Sequence, residues 1–159
     1  MKIIGMLFII TSAIVFSFER AVAEERRLKV LEEIHRFVLR LGVDIGCYLK
    51  PISDIADDFS SRLLSSLGFF EEIKRRGVYS AYLTLDSHIR FSDETKRVLD
   101  GFFSMLGNGY ADDQIKLIES ARAELDGLIK KERERVPKEK KLSVTLSCGA
   151  ALALIILLI

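Results

Sequence analysis

Hydrophobic and polar positions divide the chain into three parts. Two runs without charged residues lie near the ends, at residues 3–18 and 142–159. Between them, apolar residues recur every three or four positions among many charged ones, as in amphipathic helices. No stretch alternates apolar and polar residues in the way of a half-buried strand. The pattern predicts an all-α protein.

The central part, residues 19–141, predicts a bundle of about six helices. Its first helix is long and continues without a break from the N-terminal apolar run. Pro51 ends that helix and stands where the next one begins, since proline is tolerated at the first helical position. Gly77 follows a basic helix end and is expected to cap it. Ser92 is a good N-cap for the helix that comes after it.

Three breaks are predicted in the second half of the bundle. The helical pattern fades at residues 86–91, and glycines at 107 and 109 separate the last two helices. The final helix begins at Asp112 or Asp113 and runs to Pro137. That proline is expected to end or bend the helix, because it lacks an amide hydrogen and crowds the preceding turn.

Both uncharged runs are predicted to cross a membrane, which gives domains of residues 1–18, 19–141 and 142–159. The C-terminal run of eighteen residues is long enough for a transmembrane helix, and the N-terminal one is marginal. Arginine and lysine cluster at 20–29 and 130–141, and such clusters collect on the cytoplasmic side. The pattern therefore favours a two-span hairpin with a cytoplasmic bundle.

An alternative for the N-terminal run is a cleaved signal peptide. Residues 21–23, Ala-Val-Ala, resemble the small-residue cleavage site of such a peptide. The chain would then be a C-terminally anchored helical adaptor or receptor outside the cell. Both readings stay open at this point.

Charge and cysteine content narrow the functional classes. The central part holds all 23 acidic and all but one of the 24 basic residues, so it is close to neutral. A nucleic-acid-binding protein would present a net basic face. Cys47 and Cys148 do not form a disulfide framework, since the second lies in a predicted span and the first does not.

No residues nominate a catalytic site, a cofactor or a small-molecule substrate. Asp54, Asp57 and Asp58 have a spacing compatible with a divalent metal, but an acidic early helix turn is the simpler interpretation. His35 and His88 have no ligand partners at a characteristic spacing, and His88 is expected in a loop. The glycines at 107 and 109 lack the lysine of a nucleotide-binding loop. We therefore expect a protein that is not an enzyme and holds no metal.

Partner contacts are the remaining candidate function. Two surfaces are predicted, the acidic face of the second helix and the turn before the last one. The candidate contact residues are Asp54, Asp57, Asp58, Gly107, Asp112, Asp113 and Gln114.

Several short segments in a fixed order resemble one known family. They are Gly5 in the first apolar run, the turn Leu-Lys-Pro-Ile-Ser at 49–53, Leu106-Gly107 followed by acids and Gln114-Ile115, and the terminal Ile-Ile-Leu-Leu-Ile at 155–159. Over nearly its full length the chain resembles the stage III sporulation protein AB family of endospore-forming Firmicutes.

The resemblance implies membership of a complex that joins the mother cell to the forespore. That family is similar to the inner-membrane platform protein of type II secretion and type IV pilus systems. The implied partners are other stage III sporulation channel proteins, including a secretion-type ATPase. The implied location is the outer forespore membrane, with the bundle facing the mother-cell cytoplasm.

Overall fold

Seven α-helices and no strand make up the part of the chain that the computed structural model describes, residues 2–158. Side chains are described from residue 11 onward, except at 13, 14, 16–18, 143, 144, 147, 148, 151, 152 and 154–158. The all-α prediction is confirmed, with seven helices where about six were predicted. The helices are α1 (Lys2–Tyr48), α2 (Ile52–Asp58), α3 (Arg62–Ser66), α4 (Phe69–Arg76), α5 (Val78–Ile89), α6 (Asp93–Met105) and α7 (Ala111–Leu158).

The chain forms two compact units. We call Arg27–Lys130 the bundle unit, and Met1–Arg26 together with Lys131–Ile159 the terminal unit. The unit boundaries fall inside α1 and α7, at positions that interrupt neither helix. The predicted domain limits at residues 18/19 and 141/142 stay a prediction.

Aromatic rings dominate the core of the bundle unit. Phe37 on α1 is fully buried and lies edge-on to Phe59, Phe69 and Phe70, with ring centroids 5.4, 5.8 and 6.0 Å away. Edge-to-face pairs of this kind stabilise a core beyond the burial of their area. A single aromatic cluster therefore fastens α1 to α4 and to the segment after α2.

The residues predicted to begin or end helices lie at helix ends in the structure. Gly77 ends α4 with φ 91°, in the left-handed region where glycine is favoured. Ser92 precedes α6, and its hydroxyl accepts a hydrogen bond from the Thr95 amide at 3.4 Å. Pro51 precedes α2 in an extended conformation as its N-cap, one position before the first helical residue.

The predicted break at residues 86–91 is wrong for residues 86–89, because α5 continues to Ile89. Asp86 explains the difference. This buried carboxylate accepts hydrogen bonds from the Lys96 ammonium at 2.6 Å and from the Phe91 amide at 3.3 Å. The first of these bonds raises the pKa of Lys96. Asp86, which the sequence pattern assigns to a loop, is thus a buried residue near the end of α5.

The prediction that the final helix ends at Pro137 is also wrong, since α7 passes through this proline. Arg135 donates hydrogen bonds to Glu132 at 2.7 Å and to Glu139 at 3.3 Å. Glu139 lies beyond Pro137, so its bond to Arg135 crosses the position where a backbone hydrogen bond is lost.

No helix in the described part of the chain has a stretch long and apolar enough to cross a membrane. The two predicted spans, 1–18 and 142–159, are thus not supported by the described residues. Most of their side chains lie outside that set.

Candidate functional site

The turn between α6 and α7 is built on two glycines and one buried glutamine. Gly107 and Gly109 have φ angles of 86° and 108°, which glycine adopts without strain. Gln114 on α7 reaches back into the turn. Its carbonyl oxygen accepts a hydrogen bond from the Gly107 amide at 2.8 Å. Its amide nitrogen donates to the carbonyl oxygens of Met105, at 3.4 Å, and Asn108.

Gln114 therefore clamps the turn. A helix end leaves backbone groups without helical partners, and a glutamine amide supplies both an acceptor and donors for them. The side chain is buried, with its polar atoms turned inward. Its predicted role in partner contact stays a prediction, and the structure gives it the role of fixing the shape of the turn.

The end of α1 carries a second unusual turn. Leu49 has φ 51°, a left-handed conformation that costs a leucine about 1–2 kcal/mol. Its amide donates to the Ile45 carbonyl oxygen at 3.3 Å, which is the left-handed helix cap usually made by glycine. Sequence reasoning singled out Pro51 at this place and missed Leu49. The proline two residues later was the only local signal of such a cap.

The two turns lie side by side. A Cβ atom built on Gly107 would be 3.4 Å from Cδ1 of Ile52, at the start of α2. One built on Gly46 would be 3.8 Å from Cδ1 of Ile115, in the first turns of α7. The end of α1, the start of α2 and the start of α7 thus meet. We call residues 46–54 and 105–115 the turn end of the bundle unit.

Large apolar side chains are exposed at the turn end. The exposed fraction is 84% for Tyr110, 73% for Leu49, 68% for Tyr48 and 59% for Met105. Single exposed apolar residues are ordinary on a protein surface, but several on adjoining turns mark an interaction surface more often. None of the four was a predicted contact residue.

Part of the predicted acidic set belongs to the same segments. Asp112 and Asp113 are exposed in the first turn of α7, and Asp54 is exposed in the first turn of α2. Carboxylates at these positions are stabilised by the helix dipole. The turn end therefore combines exposed apolar side chains with acidic helix starts.

The other two predicted acids pair with lysines. Asp58 accepts a hydrogen bond from Lys50 at 3.0 Å, which raises the pKa of that lysine. Asp57 pairs with Lys74 on α4. The three acids of α2 thus have separate surroundings. Across the described residues, no three histidine, cysteine or acidic side chains come together in a metal-binding arrangement.

Both histidines make structural contacts. His35 Nε2 on α1 lies 3.1 Å from Oδ1 of Asp126 on α7. His88 belongs to α5, not to a loop as predicted, and its Nδ1 lies 2.8 Å from the Thr84 carbonyl oxygen one turn earlier.

Comparison with known proteins assigns a family. No curated protein and no solved structure matches the chain. Residues 2–159 match the family described as stage III sporulation protein AB. This match covers the whole length over which the sequence pattern resembled that family, and the resemblance is confirmed. The chain belongs to the stage III sporulation protein AB family.

Proposed function

We propose that the protein is a non-enzymatic scaffold of a sporulation channel between the mother cell and the forespore. In this proposal, residues 1–18 and 142–159 anchor it in the outer forespore membrane. The bundle unit faces the mother-cell cytoplasm and links a secretion-type ATPase to the membrane parts of the channel. Membership of the stage III sporulation protein AB family supports the sporulation role.

The docking role is supported above all by the strained and exposed conformation of Leu49. A glycine at this position would adopt φ 51° without strain and would expose no apolar side chain. Leu49 instead adds a backbone cost to the cost of an exposed isobutyl group. Strained residues that persist in folded proteins are concentrated at functional sites. Burial of Leu49 against a partner would offset both costs.

The chemistry of the turn end indicates what the partner presents. Apolar Tyr48, Leu49 and Tyr110 favour an apolar contact, and the acidic helix starts at Asp112 and Asp113 favour basic residues around it. Complementary charges of this kind set the orientation and speed of association more than its strength. We therefore propose that the ATPase contacts the turn end with an apolar patch that basic side chains surround.

The substitution Leu49→Gly tests this role, because a role in stability and a role in binding predict opposite results. The stability of the bundle should stay unchanged or rise by up to about 1 kcal/mol, since the left-handed strain is removed. Binding to the secretion-type ATPase should weaken about tenfold or more, as expected when a leucine loses a buried contact. Affinity capture of the solubilised full chain with the purified ATPase measures the second effect.

The matched control is Leu83→Ala, which removes an exposed leucine from α5, away from both turns. It should leave the affinity within about twofold, as surface changes outside an interface do. A Leu49→Gly chain that binds the ATPase and the other channel proteins as well as the parent would rule out docking through Leu49. Failure of the unaltered chain to bind any of them would reject the scaffold itself.

The second candidate function is an extracellular helical adaptor, which the Ala-Val-Ala segment at 21–23 favours. Cys47 decides between the two, because it is exposed and unpaired by a disulfide. A membrane-impermeant thiol reagent applied to intact cells should leave Cys47 unlabelled if the bundle is cytoplasmic. Labelling before cell lysis would favour the adaptor.

A further inference from the structure

A groove within the terminal unit has the chemistry of a ligand site. It lies between residues 20–24 of α1 and 136–146 of α7 and has a volume of about 240 Å³. On this measure about 10–15 Å³ is enough to hold one water molecule, so the groove is far larger than a packing defect. Most of its wall is formed by Arg20, Ala21, Val136, Lys140, Leu142 and Leu146.

The acids of the groove are engaged by one arginine. Glu24 and Glu139 complete its wall, and Arg135 donates hydrogen bonds to them at 3.1 and 3.3 Å. A further hydrogen bond to Glu132 raises the pKa of Arg135, so this group stays cationic. Arg135 thereby neutralises part of the carboxylate charge beside the groove.

Two basic side chains remain to attract an anion. Arg20 and Lys140 are both exposed and line the groove from different helices. Lys140 Nζ lies 3.7 Å from a Glu25 oxygen, and both side chains are about half exposed. Pairs of this type contribute about 0–1 kcal/mol, so Lys140 can exchange Glu25 for an anion bound in the groove at little cost.

The rest of the wall is apolar and continues into the uncharged run. Ala21, Leu142 and Leu146 expose hydrocarbon to the groove, and no charged residue follows Lys141. An inorganic anion would leave this surface unused, whereas an uncharged lipid would leave the cations unused. An anionic amphiphile uses both.

We propose that this groove binds one anionic phospholipid. Arg20 and Lys140 contact its phosphate, and Ala21, Leu142 and Leu146 line its first methylene groups. Basic residues next to a membrane segment each contribute about 1 kcal/mol to binding of anionic lipid. The proposal rests on the membrane anchoring of the proposed function, and it adds a specific lipid to it.

Native mass spectrometry of the full chain in neutral detergent tests the site. The probes are phosphatidylglycerol and phosphatidylcholine with the same acyl chains. The unaltered chain should retain one phosphatidylglycerol up to about thirtyfold more strongly than phosphatidylcholine, as expected for two cations beside one anionic headgroup. Equal retention of both lipids would overturn the proposal.

Paired variants separate a site from general attraction to basic residues. Arg20→Gln with Lys140→Gln should abolish the preference for phosphatidylglycerol. The matched control, Lys138→Gln with Lys141→Gln, removes the same charge from exposed lysines of the same segment that do not line the groove. It should keep most of the preference. Equal losses in the two pairs would overturn the proposal.

A third variant tests the apolar half of the groove without changing charge. Ala21→Phe adds a ring at the wall of the groove and should displace phosphatidylglycerol, and the helicity of this variant by circular dichroism should match that of the parent. If this variant still retains phosphatidylglycerol, the lipid binds outside the groove and the proposal is overturned. Competition by inorganic phosphate alone at millimolar concentration would identify a phosphate site and likewise overturn the lipid proposal.

Vesicle flotation separates this proposal from the proposed function. A chain that floats with phosphatidylcholine vesicles but shows no lipid preference keeps its anchor and loses the site. A chain that floats with no vesicle loses both. ATPase capture through the turn end is a separate readout, so its failure does not imitate the loss of the lipid.

Discussion

The bundle unit and the terminal unit hold their helices together by different means. In the bundle unit, buried apolar side chains from every helix meet, with Phe37 and Phe103 fully enclosed. In the terminal unit, Val136 is the one buried residue among the side chains that the structure describes. Its two helix segments are joined by Arg135 to Glu24 and by Lys140 to Glu25.

The bundle unit therefore gains its stability mainly from apolar burial, and the terminal unit mainly from ion pairs. Burial of an apolar side chain contributes about 1.5–3 kcal/mol and depends little on salt. An exposed ion pair contributes about 0–1 kcal/mol and weakens as salt screens it. We therefore expect substitutions in the bundle core to have large effects that are insensitive to salt. Changes in the ion pairs of the terminal unit should have small, salt-sensitive effects.

Removal of the Phe37 ring should have the largest effect. Phe37→Ala leaves a cavity against three other rings, and such truncations cost about 3–5 kcal/mol. The free energy of unfolding, measured for the full chain by urea titration and circular dichroism, should fall by this amount. The matched control, Tyr110→Ala, removes an exposed ring and should change it by less than about 0.5 kcal/mol. Similar losses in both variants would contradict a core centred on Phe37.

Loss of the Gln114 clamp should have an intermediate effect. Gln114→Ala leaves the Gly107 amide without its acceptor and two carbonyl oxygens without their donor. An unsatisfied buried polar group costs about 1–3 kcal/mol, and the unfolding free energy should fall within this range. Glu119→Ala, an exposed change on the same helix, is the control. Hydrogen exchange of the Gly107 amide should accelerate in Gln114→Ala and stay unchanged in the control.

Much of the fold could be predicted from the sequence, because helical periodicity and capping residues are local features of the chain. Helical periodicity located the helices, and Gly77 and Ser92 ended or began them where their chemistry requires. The errors at residues 86–91 and at Pro137 share a cause. In both places a charged side chain makes bonds to other turns or segments that periodicity does not encode, through Asp86 and through Arg135.

The candidate site was predictable only in part for the same reason. The glycine turn and the acids at 54, 112 and 113 are visible in the sequence, and the structure places them at the turn end. The inward direction of Gln114 and the left-handed conformation of Leu49 depend on how the two turns meet. Leucines are usually buried and glutamines usually exposed. Hydropathy alone would therefore place Leu49 inside the protein and Gln114 on its surface, the reverse of what the structure shows.

Removal of the Arg135 charge in the terminal unit should have the smallest effect on the free energy of unfolding. Arg135→Gln breaks contacts with Glu24, Glu132 and Glu139, but the arginine is more than a third exposed. Solvent screening therefore limits the loss of unfolding free energy to less than about 1 kcal/mol. At about 1 M salt, where the screening length is near 3 Å, the loss should nearly vanish, whereas that of Phe37→Ala should persist. A double-mutant cycle with Glu24→Gln isolates the bond between the two helix segments. A coupling energy of several kcal/mol that high salt leaves unchanged would show that the terminal unit is held as firmly as the core, and the contrast between the two units would be lost.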